Sequence, residues 1–377
     1  MREAALYLAL DLRSVLRGRA LRAAALLALG ALALGLLLAP GAGAAAPGSL
    51  AATWLAWVLG ALCVMGAAAG GSFLAADRLE GRSAWLATLG PPQVLRRLGA
   101  LGAGASLVLA GGLCAALAVG LLGPLLGLVP AVRDAHALEP ERSASFRASG
   151  GAARPLLLDL PVVPASAGTL LLETRPRGWT PSLGAPGALR LAWQCGRASG
   201  EVDVPWRGRL EVPLEAGARQ VRLTLVDGAY DLSLVRGWML GEARPVLASW
   251  LWAGLLLALL GVALVPLAVG LSRFTSAPTA AAATVVVVLV SGMRGVLPEL
   301  EQLPALGTLQ QAARAVLQAA AALAPDLARL AVVAEPCQGR ALEASVLAAA
   351  LPLLPVALAG LLLVLLPAGR SVHGDEA

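Results

Sequence analysis

The sequence contains no lysine, no asparagine and no isoleucine, and all 29 of its basic side chains are arginine. Without lysine there is no P-loop lysine, Schiff-base lysine or catalytic lysine. Without asparagine there is no N-glycosylation acceptor. The missing residue types share AT-rich codons, so the pattern reads as a GC-rich genome rather than as a functional signal. Only two histidines occur, His136 and His373, and the four cysteines are scattered with no CxxC pair. No zinc site is legible, and a membrane haem held by histidines is excluded. Neither GxSxG nor HExxH occurs. Asp159, Glu173, Glu201 and Asp203 read as solvated faces, not as a catalytic pair. No enzyme activity, catalytic residue or metal site is expected of this chain.

Apolar residues are abundant, at 58%, and charged residues few, at 14%. Ordinary soluble proteins hold roughly 45–50% and 25%. The apolar residues sit in charge-free runs at 23–76, 98–132, 245–272, 274–293 and 344–369. About 20 apolar residues suffice to cross a bilayer as a helix. The runs therefore predict six spans: 23–40, 51–74, 99–123, 246–271, 277–293 and 345–367. The first run divides at Pro40 to Ser49, and the fifth span is the shortest. A cleaved signal peptide is the competing reading of the N-terminus, with Ala42 to Ala46 as the cleavage region. The long charged section before the first run argues against it.

Net charge is +6. Arg2, Arg13, Arg17, Arg19 and Arg22 precede the first span, and Arg78, Arg82, Arg96 and Arg97 lie between the second and third. The first-to-second loop carries no charge. The positive-inside rule then puts both termini and the second-to-third loop in the cytoplasm. The expected location is a cytoplasmic (inner) membrane, multi-pass, with the bilayer itself as a partner. No aromatic residues interleave with a basic patch, so no nucleic acid is expected. Trp54, Trp57, Trp250 and Trp252 fall near outer span ends and read as interfacial anchors.

Residues 1–22 read as an amphipathic helix, either lying in the membrane interface or extending the first span into the cytoplasm. Residues 124–245 change character. Leu156 to Leu160, Thr169 to Thr174, Ala188 to Gln194, Arg209 to Leu214, Gln220 to Val226 and Tyr230 to Arg236 fit strands, separated by turn residues. Val221, Leu223 and Leu225 alternate with polar neighbours, as in a half-buried strand. The fold class expected is membrane all-α, six transmembrane helices, with an inserted extracytoplasmic antiparallel β-sandwich. Trp179, Trp193, Trp206 and Trp238 in that domain are either core residues or platforms for sugar rings. Residues 294–344 read as an external helical segment, with Leu309, Ala313, Val316, Ala320 and Leu323 on one face. Residues 345–377 hold the last span and a cytoplasmic tail. Cys195 and Cys337 both fall in segments placed outside, where a disulfide is open to them.

No charged group lies inside the six expected spans. That argues against a proton-coupled carrier, a pump or a voltage sensor. The segment from Asp77 to Leu98 is the most specific stretch. A charged run reaches Gly81, an apolar run follows with Trp85, Leu86 and Leu89, and Pro91 and Pro92 stop it. Such a segment either lies along the membrane as a short cytoplasmic helix or forms an ordinary solvated loop.

Glu80, Gly81, Leu86, Ala87, Thr88 and Pro91 make this segment similar to the cytoplasmic coupling region of type-2 ABC export permeases. Arg82 stands where threonine is usual in that family, and Leu89 and Gly90 intervene before the proline. Pro325, Asp326 and Leu327 before the last span also resemble the family. The resemblance implies a permease subunit that pairs with a second copy or a paralogue. It implies a separate ABC ATPase carrying ATP and magnesium, since this chain has no Walker A motif. The docking residues it implies are Glu80, Gly81, Arg82, Trp85, Leu86, Thr88, Pro91, Arg96 and Arg97. The alternative function is a non-transporting membrane anchor that displays a ligand- or glycan-binding sandwich.

Overall fold

The computed structural model describes residues 93–127, 129–138, 145–146, 155–164, 167–177, 189–204, 208–227, 231–293 and 327–366, with isolated positions at 9, 60, 312, 315, 318 and 319. Apart from those isolated positions, the first two expected spans, the N-terminal helix, most of the coupling segment and the Leu309 to Leu323 face fall outside these residues. The chain divides into two compact units. One draws on residues up to Pro130, Val246–Gln338 and Leu342 onward; the other is Ala131–Pro245 with Gly339–Ala341.

The first unit is helical. Helix α1 spans Gln93–Leu125, and α2 spans Val246–Leu271. Helix α3 spans Ala277–Met293. The chain then makes 3-10 turns at Ala328–Ala334, Pro336–Gln338 and Ala344–Leu353, and enters helix α4 at Leu354–Leu365. Three helical stretches are long and apolar enough to cross a membrane: Val94–Leu125, Val246–Leu271 and Ala344–Leu365. These coincide with the expected third, fourth and sixth spans. The expected fifth span is the 17-residue α3, which at about 1.5 Å per residue falls short of a core about 30 Å thick. Among the described residues three long apolar helices are thus shown.

The last stretch differs from the expected single α-helix. Pro352 sits inside its 3-10 portion and Pro355 in the first turn of α4. Each proline lacks an N–H and its ring crowds the carbonyl four residues back where α winding would place it; the tighter winding persists for ten residues before α geometry takes over.

Helix α2 is the centre of this unit. It buries Trp250, Ala253, Leu256, Leu257 and Leu260, among others, on nearly all sides. Helix α1 meets it with small side chains four apart: Gly104, Val108, Gly112, Ala116 and Gly120 are all buried. A Cβ on Gly254 of α2 would strike Ala116, and one on Gly120 would sit 3.4 Å from the Trp250 Cβ. Small residues let helix backbones approach closely where water supplies no driving force. The other side of α1 exposes Leu117, Leu121, Leu122 and Leu125, and α4 exposes Leu354, Leu358, Leu362 and Leu365. These faces suit hydrocarbon.

The interfacial reading of Trp250 does not hold. Its side chain is fully buried, and its indole N–H has no hydrogen-bond partner among the described residues. The ring packs within the helical core, whose residues include Val108, Val119 and Leu257. Trp252 is half-buried against the same core.

The second unit is two antiparallel sheets. Its strands are β1 Val132–Leu138, β2 Ser145–Phe146, β3 Leu156–Asp159, β4 Gly168–Arg177, β5 Leu189–Cys195, β6 Ala198–Val204, β7 Gly208–Leu214, β8 Gln220–Asp227 and β9 Asp231–Arg244. One sheet runs β1-β9-β4-β7 with β2 beside β9, and the other runs β3-β8-β5-β6. Leu170 and Leu172 of β4, Leu210 and Val212 of β7, and Leu191, Val221 and Leu223 of the opposite sheet share one buried cluster. Inward residues alternate with exposed Glu211, Pro213 and Arg222, the period-2 pattern of a sandwich. The expected six strands are all present, and β9 runs eight residues past its expected end at Arg236. Strands β1, β2 and β6 were not expected. Two-residue β2 is too short to show a period, and the alternation in β1 and β6 is confined to Ala135 and Ala137 in the one and Val202 and Val204 in the other.

Cys114, Cys195 and Cys337 form no disulfide. The Cys195–Cys337 disulfide does not form. Cys195 is buried in the sandwich core, where its sulfur accepts the Glu215 N–H at 3.5 Å, and Cys337 is buried in the helical core.

Candidate functional site

An α-helix leaves its last carbonyls without intrahelical donors. The final turn of α4 contains no basic residue to meet them. Two other helix ends supply the charge. Arg97, in the first turns of α1, donates from Nη1 to the Val364 carbonyl at 2.9 Å and to Leu366 at 3.3 Å. Arg273, two residues beyond α2, donates from Nη1 to Leu363 at 2.5 Å and to Val364 at 3.1 Å. One carbonyl, Val364, therefore accepts from both guanidiniums.

The arrangement follows from local sequence. Arginine ends two charge-free runs, 98–132 at its start and 245–272 at its end. Long arginine side chains carry charge toward polar acceptors while their stems pack on apolar surface. Arg97 is only 9% exposed, and these carbonyls are acceptors for its buried guanidinium. The negative end of the α4 dipole meets both cations. Hydrogen bonds to a charged group contribute about 1.5–3 kcal/mol each. Burial lowers the Arg273 pKa from its ordinary value, yet an arginine stays protonated across the physiological range. Arg273 also lies 5.3 Å from the Phe274 ring centre.

Of the expected docking residues, Glu80, Gly81, Arg82, Trp85, Leu86, Thr88 and Pro91 lie outside the described residues. Arg96 is half-buried in the first turn of α1, and Arg97 turns inward to α4. Sequence alone missed Arg273. The available signal was its position as the first charge after an uninterrupted apolar run.

In the sandwich, Trp179 and Trp206 lie outside the described residues. Trp193 packs against the core cluster, with its ring across Gly200 of the neighbouring strand. Trp238 is 7% exposed, and the Arg340 guanidinium lies 4.0 Å above its ring. Gly339 and Ala341 hold Arg340 there: Arg133 N–H donates to the Gly339 carbonyl at 2.9 Å, and Ala341 N–H to the Arg133 carbonyl at 2.8 Å. This short segment pairs with the edge strand β1. Gly339 has φ of 76°, which a residue with a side chain adopts only with strain. The ring face of Trp238 toward Arg340 is thus occupied, whereas half-buried Trp193 also lines an open depression. Arg340→Ala is expected to lower the thermal stability of the sandwich by about 0.5–2 kcal/mol. Blue-shifted or unchanged tryptophan emission on that substitution would count against the stacking.

The outer face of the β3-β8-β5-β6 sheet carries an open depression of about 470 Å³, lined by Trp193, Gln194, Ser199, Glu201, Arg222 and Thr224 around Ala192 and Gly200. Among the described residues no group of three His, Cys, Asp or Glu side chains is placed to hold a metal. Comparison with family models, curated proteins and solved structures returned no match. Fold and site together define a protein with helices apolar enough for a membrane and an inserted antiparallel sandwich.

Proposed function

We propose that this chain is the membrane-spanning subunit of an ATP-driven exporter of the type-2 ABC kind. The observation that carries the reading is the segment from Asp77 to Leu98, whose residues resemble a coupling region and which runs into the long apolar helix α1. The three long apolar helices and a β unit inserted between α1 and α2 support it. Two such subunits would line the pathway. A separate ATPase with ATP and magnesium would dock at Glu80 to Arg96. The sandwich would stand outside the cell membrane, and both termini inside.

Deleting residues 80–92 is expected to abolish co-purification with the partner ATPase, while the protein still reaches the membrane. Co-purification and transport at wild-type levels would overturn the reading. The second reading, a membrane anchor displaying a binding domain, draws on the polar depression of the sandwich. It predicts that the protein's cellular role survives loss of any ATPase partner.

A further inference from the structure

We infer that Arg97 and Arg273 are positioning residues that lock the end of α4 to the start of α1, so that α4 follows displacement of the 77–98 segment. The transmission rests on the permease reading; the lock does not.

Helices α1 and α4 each pack along α2, and no extended contact joins α1 to α4 among the described residues. The Arg97 bonds to Val364 and Leu366 therefore tie the two directly, across 267 residues of sequence to Val364. Both arginines grip main-chain carbonyls. A grip on backbone moves the helix itself and not one mobile side chain. Their shared acceptor, Val364, connects the ends of α1, α2 and α4 through a single group. One turn back, Gly360 lies against Pro266 and Leu267 of α2 with no room for a Cβ. The last turn of α4 is thus held from two directions, by close backbone contact with α2 and by a charged tie to α1. Arg97 also adjoins the proposed coupling segment in sequence. Displacement entering there meets Arg97 at once. Lysine would keep the charge but offer a point contact where a guanidinium offers a planar fork.

The test uses the full chain in nanodiscs with nitroxides at Leu98 and Leu362, both exposed. The wild type is expected to give one narrow distance distribution, and R97Q/R273Q a broad one. A narrow, unshifted distribution in that variant would overturn the lock. R273Q alone, at a half-buried position, guards against misfolding and should broaden the distribution in part; no broadening would remove Arg273 from the lock. R97K/R273K should recover an intermediate width, and a width equal to that of the glutamine variant would show that charge at the α4 terminus contributes nothing. With the partner ATPase trapped by ATP and vanadate, the fraction of α4 that shifts should fall at least tenfold in R97Q/R273Q, since losing one charge-assisted bond accounts for about that factor and the variant removes four. An equal shift in variant and wild type would overturn the transmission. If no ATPase binds the wild type, the permease reading falls and the transmission with it, while the label distance still decides the lock.

Discussion

Gly360→Val is expected to prevent α4 from seating on α2. A Cβ at Gly360 would stand 2.6 Å from the Pro266 carbonyl carbon and 2.8 Å from its Cβ, and would also strike the Leu267 nitrogen. Two of these neighbours are backbone atoms, which cannot rotate away. The contact is reciprocal: a Cβ on Gly270 would lie 2.7 Å from the Leu363 Cβ and 3.2 Å from the Gly360 carbonyl oxygen. Relief therefore requires the two helices to separate along a full turn. Overpacking of this kind costs about 1–3 kcal/mol, and more where main chain must move. Close packing is the principal attraction between helices in lipid, so no hydrophobic gain offsets the loss. Thermal unfolding in detergent, followed by tryptophan fluorescence, checks it. Gly111→Val is the control, because a Cβ there meets nothing within 4 Å. Equal stability of the two variants would show that α4 does not depend on this crossing. Separation of the helices would also draw Val364 away from Arg97 and Arg273, so Gly360→Val should broaden the Leu98 to Leu362 distance.

Leu223→Asp is expected to unfold the sandwich while leaving the long apolar helices helical. Leu223 is fully buried at the centre of β8, paired with Leu156 on one side and Trp193 on the other. Its cluster draws on Leu170, Leu172, Leu210 and Val212 of the opposite sheet. A carboxylate there has no cation to meet and stays charged only at a cost of several kcal/mol. Leu223→Ala, which removes only volume, should cost about 2–5 kcal/mol. The helical unit has its own core around Trp250, Leu256 and Val265, which the substitution does not touch. Limited trypsin digestion of the full chain reports the difference. The aspartate variant should be cut at Arg190, Arg219 and Arg222 much faster than the wild type, with far-UV helical signal retained. Simultaneous loss of the helical signal would show that the two units do not fold independently.

Where periodicity was strong, the elements were legible from residues alone. The charge-free runs located α1, α2 and the Ala344–Leu365 stretch, because transfer of apolar side chains from water dominates such segments. Alternation located β3, β4, β5, β7 and β8, because one face of each is buried. Strand β6 escaped because Ala198, Ser199 and Gly200 give no apolar rhythm and Val202 and Val204 make too short a one; it forms by pairing with β5 in sequence-adjacent register. The extension of β9 to Arg244 likewise depends on partners: its added residues bond to β1 and β4, not to one another. Proline explains the 3-10 entry to α4, although only the backbone winding revealed how far it persists.

The sequence by itself determined that no lysine chemistry or Walker A motif is present, that long apolar helices exist, and that a β-rich segment interrupts them. These are local properties of composition and period, and they survive any arrangement of the elements. Only the tertiary structure decided what individual side chains do. It turned Trp250 from a surface anchor into core, covered Trp238 with Arg340, and brought Arg97 and Arg273 to one carbonyl. Those roles depend on which backbone stands opposite, and no periodicity encodes a contact between residues 97 and 364.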